Sequence, residues 1–240
     1  MGDLSMAERF KDKEVLVAGG TGGLGRAVSL SFLKEGARVH VTYRVEEEFT
    51  ALKKLAGENM TSLSGYRVDV TKEEDATKLV QELGRLDVMI NTVGAYAGGL
   101  ALWQTEAAVF DRMMLLNVRS GFVLSRTVIP GMLKQGFGAV VNISSRAAVD
   151  HAAGASAYAA SKAAALAMMD SLAADLTGTG VRVNTVLPSI IDTDANRKAM
   201  PGADHRKWPK PEEIAGVILF LCSDEATLIR GAAVPVYGAN

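Results

Sequence analysis

Glu14-Val-Leu-Val-Ala-Gly-Gly-Thr-Gly-Gly-Leu-Gly25 runs from an apolar segment straight into a turn rich in glycine. Residues 14–18 have the length and composition of a buried strand, and Leu24 opens the apolar face of a following helix. The turn between them must bring backbone close to whatever it binds, and Gly19, Gly23 and Gly25 carry no side chain to obstruct that approach. A helix beginning there aims its unpaired N-terminal amides at an anion, so strand, turn and helix in this order predict a pyrophosphate cradle.

Further strand-like runs fall at 38–42, 86–91, 139–143, 181–187 and 232–236, separated by helix-length segments. This alternation predicts an α/β fold, a single-domain, Rossmann-like, doubly wound and mostly parallel sheet with helices on both faces. The chain, 1–240, is read as one dinucleotide-binding and catalytic domain. Thr71-Lys-Glu-Glu74 has the form of a capping box opening a helix through Leu83, and Pro211 suits the first turn of a helix over 212–221. Long helices are predicted over 105–134 and 155–176. Residues 188–209 lack a clear period, and a stretch of that length after a strand is expected to serve as a substrate-binding loop or lid.

With 240 residues, nearly half of them apolar, the chain can bury a sizeable core without disulfides. Its formal charge of −1 creates no field for nucleic acid or an anionic membrane, so neither is expected as a partner. Cys222 is the one cysteine, cannot close an internal disulfide, and in Ile218-Leu-Phe-Leu-Cys222 is expected to be a core residue at a helix end. The segment from Met1 to Glu14 is too charged for a secretory leader and no apolar run reaches membrane-spanning length, which predicts a cytoplasmic protein. His40, His151, His205 and Cys222 show no metal-ligand spacing, so no metal is expected.

Tyr158 and Lys162 stand four residues apart in Tyr158-Ala-Ala-Ser-Lys162, which on a helix places both side chains on one face. An ammonium beside a phenol stabilises the phenolate, and each pKa unit of downward shift takes about 1.4 kcal/mol. The tyrosine then becomes a usable proton donor or acceptor near neutrality. Alone, such a pair is an ordinary feature of a helix surface; its company carries the reading. Residues 138–145 form a strand-like run ending in hydroxyls, so Ser145 falls at a strand's carboxyl end, where open α/β sheets bind ligands. The second strand ends Val41-Thr-Tyr-Arg44, with Tyr43 where a carboxylate would accept from a ribose 2′-hydroxyl and Arg44 able to fork onto a 2′-phosphate. That favours NADP(H) over NAD(H), although Glu46, Glu47 and Glu48 weaken the local positive field.

With these residues assembled, the chain resembles the short-chain dehydrogenase/reductase family from Glu14 to Gly238. The family's Thr-Gly-x-x-x-Gly-x-Gly motif matches residues 18–25, with Ala18 replacing Thr. Its Asn-Asn-Ala-Gly segment is similar to Asn91-Thr-Val-Gly94, its helical Asn is Asn117, its Ser is Ser145 with Ser144 as the near alternative, and its Tyr-x-x-x-Lys is Tyr158 with Lys162. Its Pro-Gly-x-Ile-x-Thr run is Pro188-Ser-Ile-Ile-Asp-Thr193, where Ser189 replaces Gly and puts the local backbone geometry in question.

The resemblance implies an NAD(P)-dependent oxidoreductase, foremost an NADPH-dependent carbonyl (keto) reductase or alcohol dehydrogenase. Tyr158 is implied to exchange a proton with the substrate oxygen while the nicotinamide exchanges hydride with its carbon. Ser145 is implied to hydrogen-bond the oxyanion, Lys162 to hold the nicotinamide ribose, and Asn117 to support a water chain to solvent. Thr193, with the backbone around Ile191, is implied to orient the carboxamide. Further cofactor contacts are implied from Gly19, Thr21, Gly23, Leu24 and Gly25, from Tyr43 and Arg44, from the strand-end pair Asp69 and Val70, and from Asn91, Gly94 and Pro188.

The substrate, a small carbonyl or alcohol, is expected to meet Tyr96, His151 and Ser189. Residues 191–208 and Ala95-Tyr-Ala-Gly-Gly99 are locally similar to dihydropteridine reductases, which makes a pterin reductase the second reading. Those enzymes lack the serine and favour an acidic second-strand end, whereas this chain has Ser145 and Tyr43-Arg44. A third reading, a non-catalytic NADP-binding regulator, would be marked by loss of Tyr158 or Lys162, and both are present. In relatives the two long helices form a dimer surface that pairs again, implying a homodimer or homotetramer.

Overall fold

The structure, a computed structural model, describes residues 9–239. Residues 1–8, within the stretch over which the sequence argues against a secretory leader, lie outside the described residues, as does Asn240. In chain order the elements are β1 (Glu14–Ala18), α1 (Gly23–Lys34), β2 (Arg38–Tyr43), α2 (Glu46–Ala56), β3 (Leu63–Arg67), α3 (Glu73–Leu83), β4 (Val88–Asn91) and α4 (Ala107–Met114). A π-helical turn, Leu115–Arg119, joins α4 to α5 (Ser120–Gln135). There follow β5 (Gly138–Ile143), α6 (Ser156–Asp175), β6 (Val181–Pro188), α7 (Asp194–Ala199), α8 (Pro211–Cys222) and β7 (Ala233–Val236).

The strands form one seven-stranded sheet in the order β3-β2-β1-β4-β5-β6-β7, and every neighbouring pair is parallel. Parallel strands need crossovers, and the helices that supply them cover both faces. The pleat of β1 shows the division. Val15 and Val17 pack with Phe32 of α1, Leu52 of α2 and Ile218 of α8. Leu16 and Ala18 pack on the other face with Leu79 of α3, Leu124 of α5 and Met169 of α6. Because the chain leaves β1 for β2 on one side and returns to β4 on the other, a crevice opens beyond the carboxyl ends of β1 and β4.

Several local expectations need correction. Leu63-Ser-Gly-Tyr-Arg67 is a strand that hydrophobic patterning missed; it lies at the sheet edge, and Gly65 leaves room for the Phe49 ring, since a Cβ there would sit 2.3 Å from Phe49 Cζ. The Thr71 capping box does not form: Thr71 Oγ1 donates to Asp69 Oδ1 at 2.7 Å, and α3 starts at Glu73 with Lys72 as N-cap and no side-chain cap. Glu73, Glu74 and Asp75 place negative charge in that first turn instead. The helix expected over 105–134 is interrupted by the π-turn. Residues 188–209 are not structureless: Pro188 ends β6, and the stretch holds α7 and a 3₁₀ turn, His205–Lys207. Pro211 does open α8, with the Lys210 amide donating to the Glu213 carboxylate at 2.8 Å. Cys222 ends that helix, buried, and burial pushes its thiol up to about 12.

Candidate active site

The glycine turn after β1 is braced from three sides. The Gly19 amide donates to Thr42 Oγ1 at 3.0 Å, Ser29 Oγ donates to the Gly25 carbonyl at 2.8 Å, and Thr92 Oγ1 donates to the Ala18 carbonyl at 2.7 Å. Gly19 has φ +73°, and a Cβ on Gly25 would lie 2.1 Å from the Gly19 carbonyl oxygen, so the turn closes on itself only with glycine. Gly22 and Gly23, at the start of α1, are exposed, and no side chain caps that terminus. The first amides of a twelve-residue helix are thus left without a side-chain cap at a glycine-lined terminus, which fits a phosphate group. Leu24 is buried and anchors the helix to the core.

At the end of β2, the Tyr43 hydroxyl donates to Glu46 Oε2 at 2.6 Å and its ring stacks on Phe49 at 4.8 Å. Thr21 Oγ1 donates to Glu48 Oε2 at 2.8 Å, bridging the glycine turn to α2. Arg44, between β2 and α2, is exposed, and its charge acts on Asp69. Burial raises the Asp69 pKa, but hydrogen bonds from Thr71 and the charges of Arg44 and Lys72 outweigh it and hold the carboxyl below its ordinary value. Val70 is buried in the core. The Asn91 side chain turns inward rather than toward the crevice, donating to Asn142 Oδ1 at 3.0 Å and accepting from the Val93 amide at 3.2 Å.

The two serines after β5 separate cleanly. Ser144 Oγ is buried and donates to the Lys162 carbonyl at 2.9 Å, which removes it from the crevice. Ser145 Oγ accepts from the Ala147 amide at 3.1 Å and lies near enough to the Tyr158 phenol to favour its ionised form. Burial nevertheless dominates and, with a contribution from Tyr96, raises the Tyr158 pKa above its usual value. The expected depression by Lys162 is absent from this arrangement. Lys162 Nζ instead donates to the Ile143 carbonyl at 2.9 Å, and lies 6.0 Å from the centre of the Tyr158 ring. Burial, unrelieved by any carboxylate, brings Lys162 down to about 8.

Asn117 sits in the π-turn, buried. Its Oδ1 accepts from the Ala95 amide at 2.8 Å, and its Nδ2 donates to the Ala95 carbonyl at 3.0 Å and to Ser161 Oγ at 2.9 Å. A π-turn inserts one residue into the helix and re-aims a side chain, a common device at functional sites. Ser161 in turn donates to the Tyr158 carbonyl at 2.7 Å. Sequence reading passed over Ser161, although its place within Tyr158-Ala-Ala-Ser-Lys162, three residues from Tyr158, puts it within reach of that carbonyl. Gly94 fits where nothing larger would: a Cβ there would stand 2.8 Å from Asn117 Oδ1 and 3.2 Å from Lys162 Nζ.

Beyond β6, Thr193 Oγ1 accepts from the Asn196 amide at 3.2 Å, capping α7, and the Thr193 methyl faces Gly23 so closely that a Cβ there would lie 2.8 Å from it. The strand end and the glycine turn therefore meet. Ile191 packs on the core, and its carbonyl accepts from Asn196 Nδ2 at 2.8 Å. Ser189 donates to the Tyr237 carbonyl at 2.8 Å and does not occupy positive φ, so the absence of glycine there brings no backbone strain. Of the expected substrate contacts, Tyr96 packs edge-on against Tyr158, whereas His151 is exposed with Nδ1 on the Ala147 carbonyl at 3.0 Å. Among the described residues no group of three or more His, Cys, Asp and Glu could hold a metal ion, and no helix is long and apolar enough to cross a membrane.

The short chain dehydrogenase family model matches residues 13–204. The chain is 33% identical to the 3-oxoacyl-[acyl-carrier-protein] reductase FabG of Thermotoga maritima, over 96% of this chain and 98% of the relative. It is 32% identical to 2-(S)-hydroxypropyl-CoM dehydrogenase 3 of Xanthobacter autotrophicus, over 97% and 98%. Its structure superposes on that of ElxO with NADP bound with a TM-score of 0.88, at 27% identity, covering 95% of this chain and 98% of the other. With the sheet order, the glycine turn and the Ser145, Tyr158 and Lys162 cluster in place, the chain belongs to the short-chain dehydrogenase family of oxidoreductases acting on the alcohol–carbonyl pair.

Proposed function

We propose that this chain is an NADPH-dependent carbonyl reductase that, in reverse, oxidises the corresponding alcohol. The observation that carries the reading is the convergence of the Ser145 hydroxyl, the Tyr158 phenol and the Lys162 ammonium at the carboxyl end of β5. NADPH, when bound, supplies the hydride to the substrate carbon. Tyr158, with its raised pKa, is protonated at neutral pH and so is ready to donate to the carbonyl oxygen. Ser145 hydrogen-bonds the same oxygen as negative charge develops on it. Lys162 spends one N–H on Ile143 and keeps two for the ribose hydroxyls. Asn117 and Ser161 fix the backbone at Ala95 and at Tyr158, so that the phenol holds its place.

Arg44, exposed at the end of β2, supports NADP(H) over NAD(H), as does NADP in a structural neighbour. Ser145 beside Tyr158 favours a ketone over a quinoid pterin, which needs no oxyanion donor. The same proposal takes the chain as one domain with residues 188–209 as substrate loop, and as a cytoplasmic homodimer or homotetramer that buries Phe110, Leu115 and Phe122, each over 40% exposed. Tyr158→Phe is the direct test. Loss of about 10²–10⁴-fold in NADPH-dependent ketone reduction is expected, with dinucleotide binding retained; undiminished turnover would rule the proposal out.

A further inference from the structure

We infer that Tyr96 forms a wall of the substrate site and selects carbonyl compounds that carry a flat, apolar ring on the carbonyl carbon; the inference rests on the carbonyl-reductase reading above. The Tyr96 and Tyr158 rings stand 5.0 Å apart at 73°, edge to face. Any oxygen that hydrogen-bonds the Tyr158 hydroxyl brings its neighbouring atoms up to this pair. Tyr96 is nonetheless 68% exposed, so most of its ring surface is free for a substrate. Leu100 and Val149, on the segments that follow Tyr96 and Ser145, are also exposed, at 53% and 57%.

This wall is rigid. Both polar groups of the Ala95 peptide unit are held by Asn117, and the Gly99 amide donates to the Gly154 carbonyl at 2.8 Å, with both glycines at positive φ. The Tyr96 hydroxyl lies over Gly98, where a Cβ would come within 2.2 Å of it. Glycine at 98 therefore leaves room for the ring to lie where it does. The cation next to Ser145 is already engaged: Arg146 donates to Asp150 at 2.8 Å and lies 5.2 Å over the Tyr237 ring. A fixed aromatic surface gains from a second ring through offset or edge contacts, and a rigid ring loses little freedom on binding. A straight alkyl chain of equal carbon count gains less and loses more.

The test compares acetophenone with 2-octanone in the NADPH-dependent reaction, in the parent chain, Tyr96→Ala and Tyr96→Phe. The ratio of kcat/KM for the aryl ketone over the alkyl ketone is expected to fall about tenfold in Tyr96→Ala, through KM, and to persist in Tyr96→Phe. An unchanged ratio in Tyr96→Ala, with or without loss of overall activity, overturns the inference. A readout without turnover uses 1-phenylethanol and 2-octanol titrated calorimetrically into NADP-loaded Tyr158→Phe, with and without Tyr96→Ala. Ring-selective binding that disappears with Tyr96 supports the wall even if the parent chain reduces neither ketone, which would count against the reductase reading instead. Binding that does not distinguish ring from chain defeats the inference whatever the turnover.

Discussion

Lys162 on α6 reaches the carbonyl of Ile143 at the end of β5, Nζ to O 2.9 Å, and no carboxylate shares its buried site. Burial lowers its pKa from 10.5 to about 8. The unfolded chain therefore holds an extra proton between about pH 8 and about pH 10.5, and by linkage this group makes the protein more stable as pH rises through that window. Below it both states are protonated and the desolvation cost is felt in full. Relative to Lys162→Met, the parent should gain about 3 kcal/mol of unfolding free energy between neutrality and pH ~10. Urea midpoints for both proteins across that range check this; a constant difference would show that the ammonium is solvated.

Ser161 couples the π-turn to the reacting tyrosine, accepting from Asn117 Nδ2 and donating to the Tyr158 carbonyl. Ser161→Ala leaves a buried amide hydrogen of Asn117 without that partner, at a cost of about 1–3 kcal/mol in stability. As a positioning residue it acts through Tyr158. The expected signature is a fall in kcat of about tenfold with KM for NADPH changed by less than about twofold. Equal changes in both constants would reduce Ser161 to a packing role.

The strands β1, β5 and β6 were legible because each is buried on both faces and is rich in apolar and β-branched residues, with Asn142 in β5 and Arg182 and Asn184 in β6 the buried polar exceptions. β3 was not, since its one buried residue, Leu63, gives no period to follow. Tyr158 and Lys162 are four apart in sequence, so helical spacing alone places them together. What spacing cannot give is direction. Lys162 turns its ammonium to a strand-end carbonyl, Asn91 turns inward, and Ser144 bonds the backbone of α6 while Ser145 remains in the crevice. For Lys162, Asn91 and Ser144 the choice follows from partners 19, 51 and 18 residues away, which no local pattern contains.

Gly25 and Gly22 make an internal comparison within one turn. A methyl group on Gly25 would meet the Gly19 carbonyl at 2.1 Å, while one on Gly22 would meet only that same oxygen at 3.5 Å, an ordinary contact. Gly25→Ala should cost about 1–3 kcal/mol in stability as the turn opens, and should weaken dinucleotide binding with it. Gly22→Ala should leave the unfolding midpoint within about 0.5 kcal/mol of the parent. Denaturant titration with and without NADPH separates the two effects. Comparable destabilisation by both substitutions would mean that the turn is looser than its hydrogen bonds from Thr42, Ser29 and Thr92 require.

Glu48, in the first turn of α2, and Arg44, just after β2, carry opposite charges on the two sides of one short connection. Glu48 accepts from Thr21 Oγ1 at 2.8 Å, placing a carboxylate against the glycine turn, while exposed Arg44 offers the guanidinium suited to a 2′-phosphate. A phosphate entering here gains from one and is repelled by the other. Arg44→Ala should therefore weaken NADPH about tenfold and NADH much less. Glu48→Gln keeps an acceptor for Thr21 and removes the charge, so NADPH should tighten a few-fold with NADH little changed. Both effects should shrink at high salt, because the groups are exposed. Dissociation constants for the two dinucleotides at low and high ionic strength decide the matter; a Glu48→Gln variant that tightens NADH and NADPH alike would place the 2′ position away from this carboxylate.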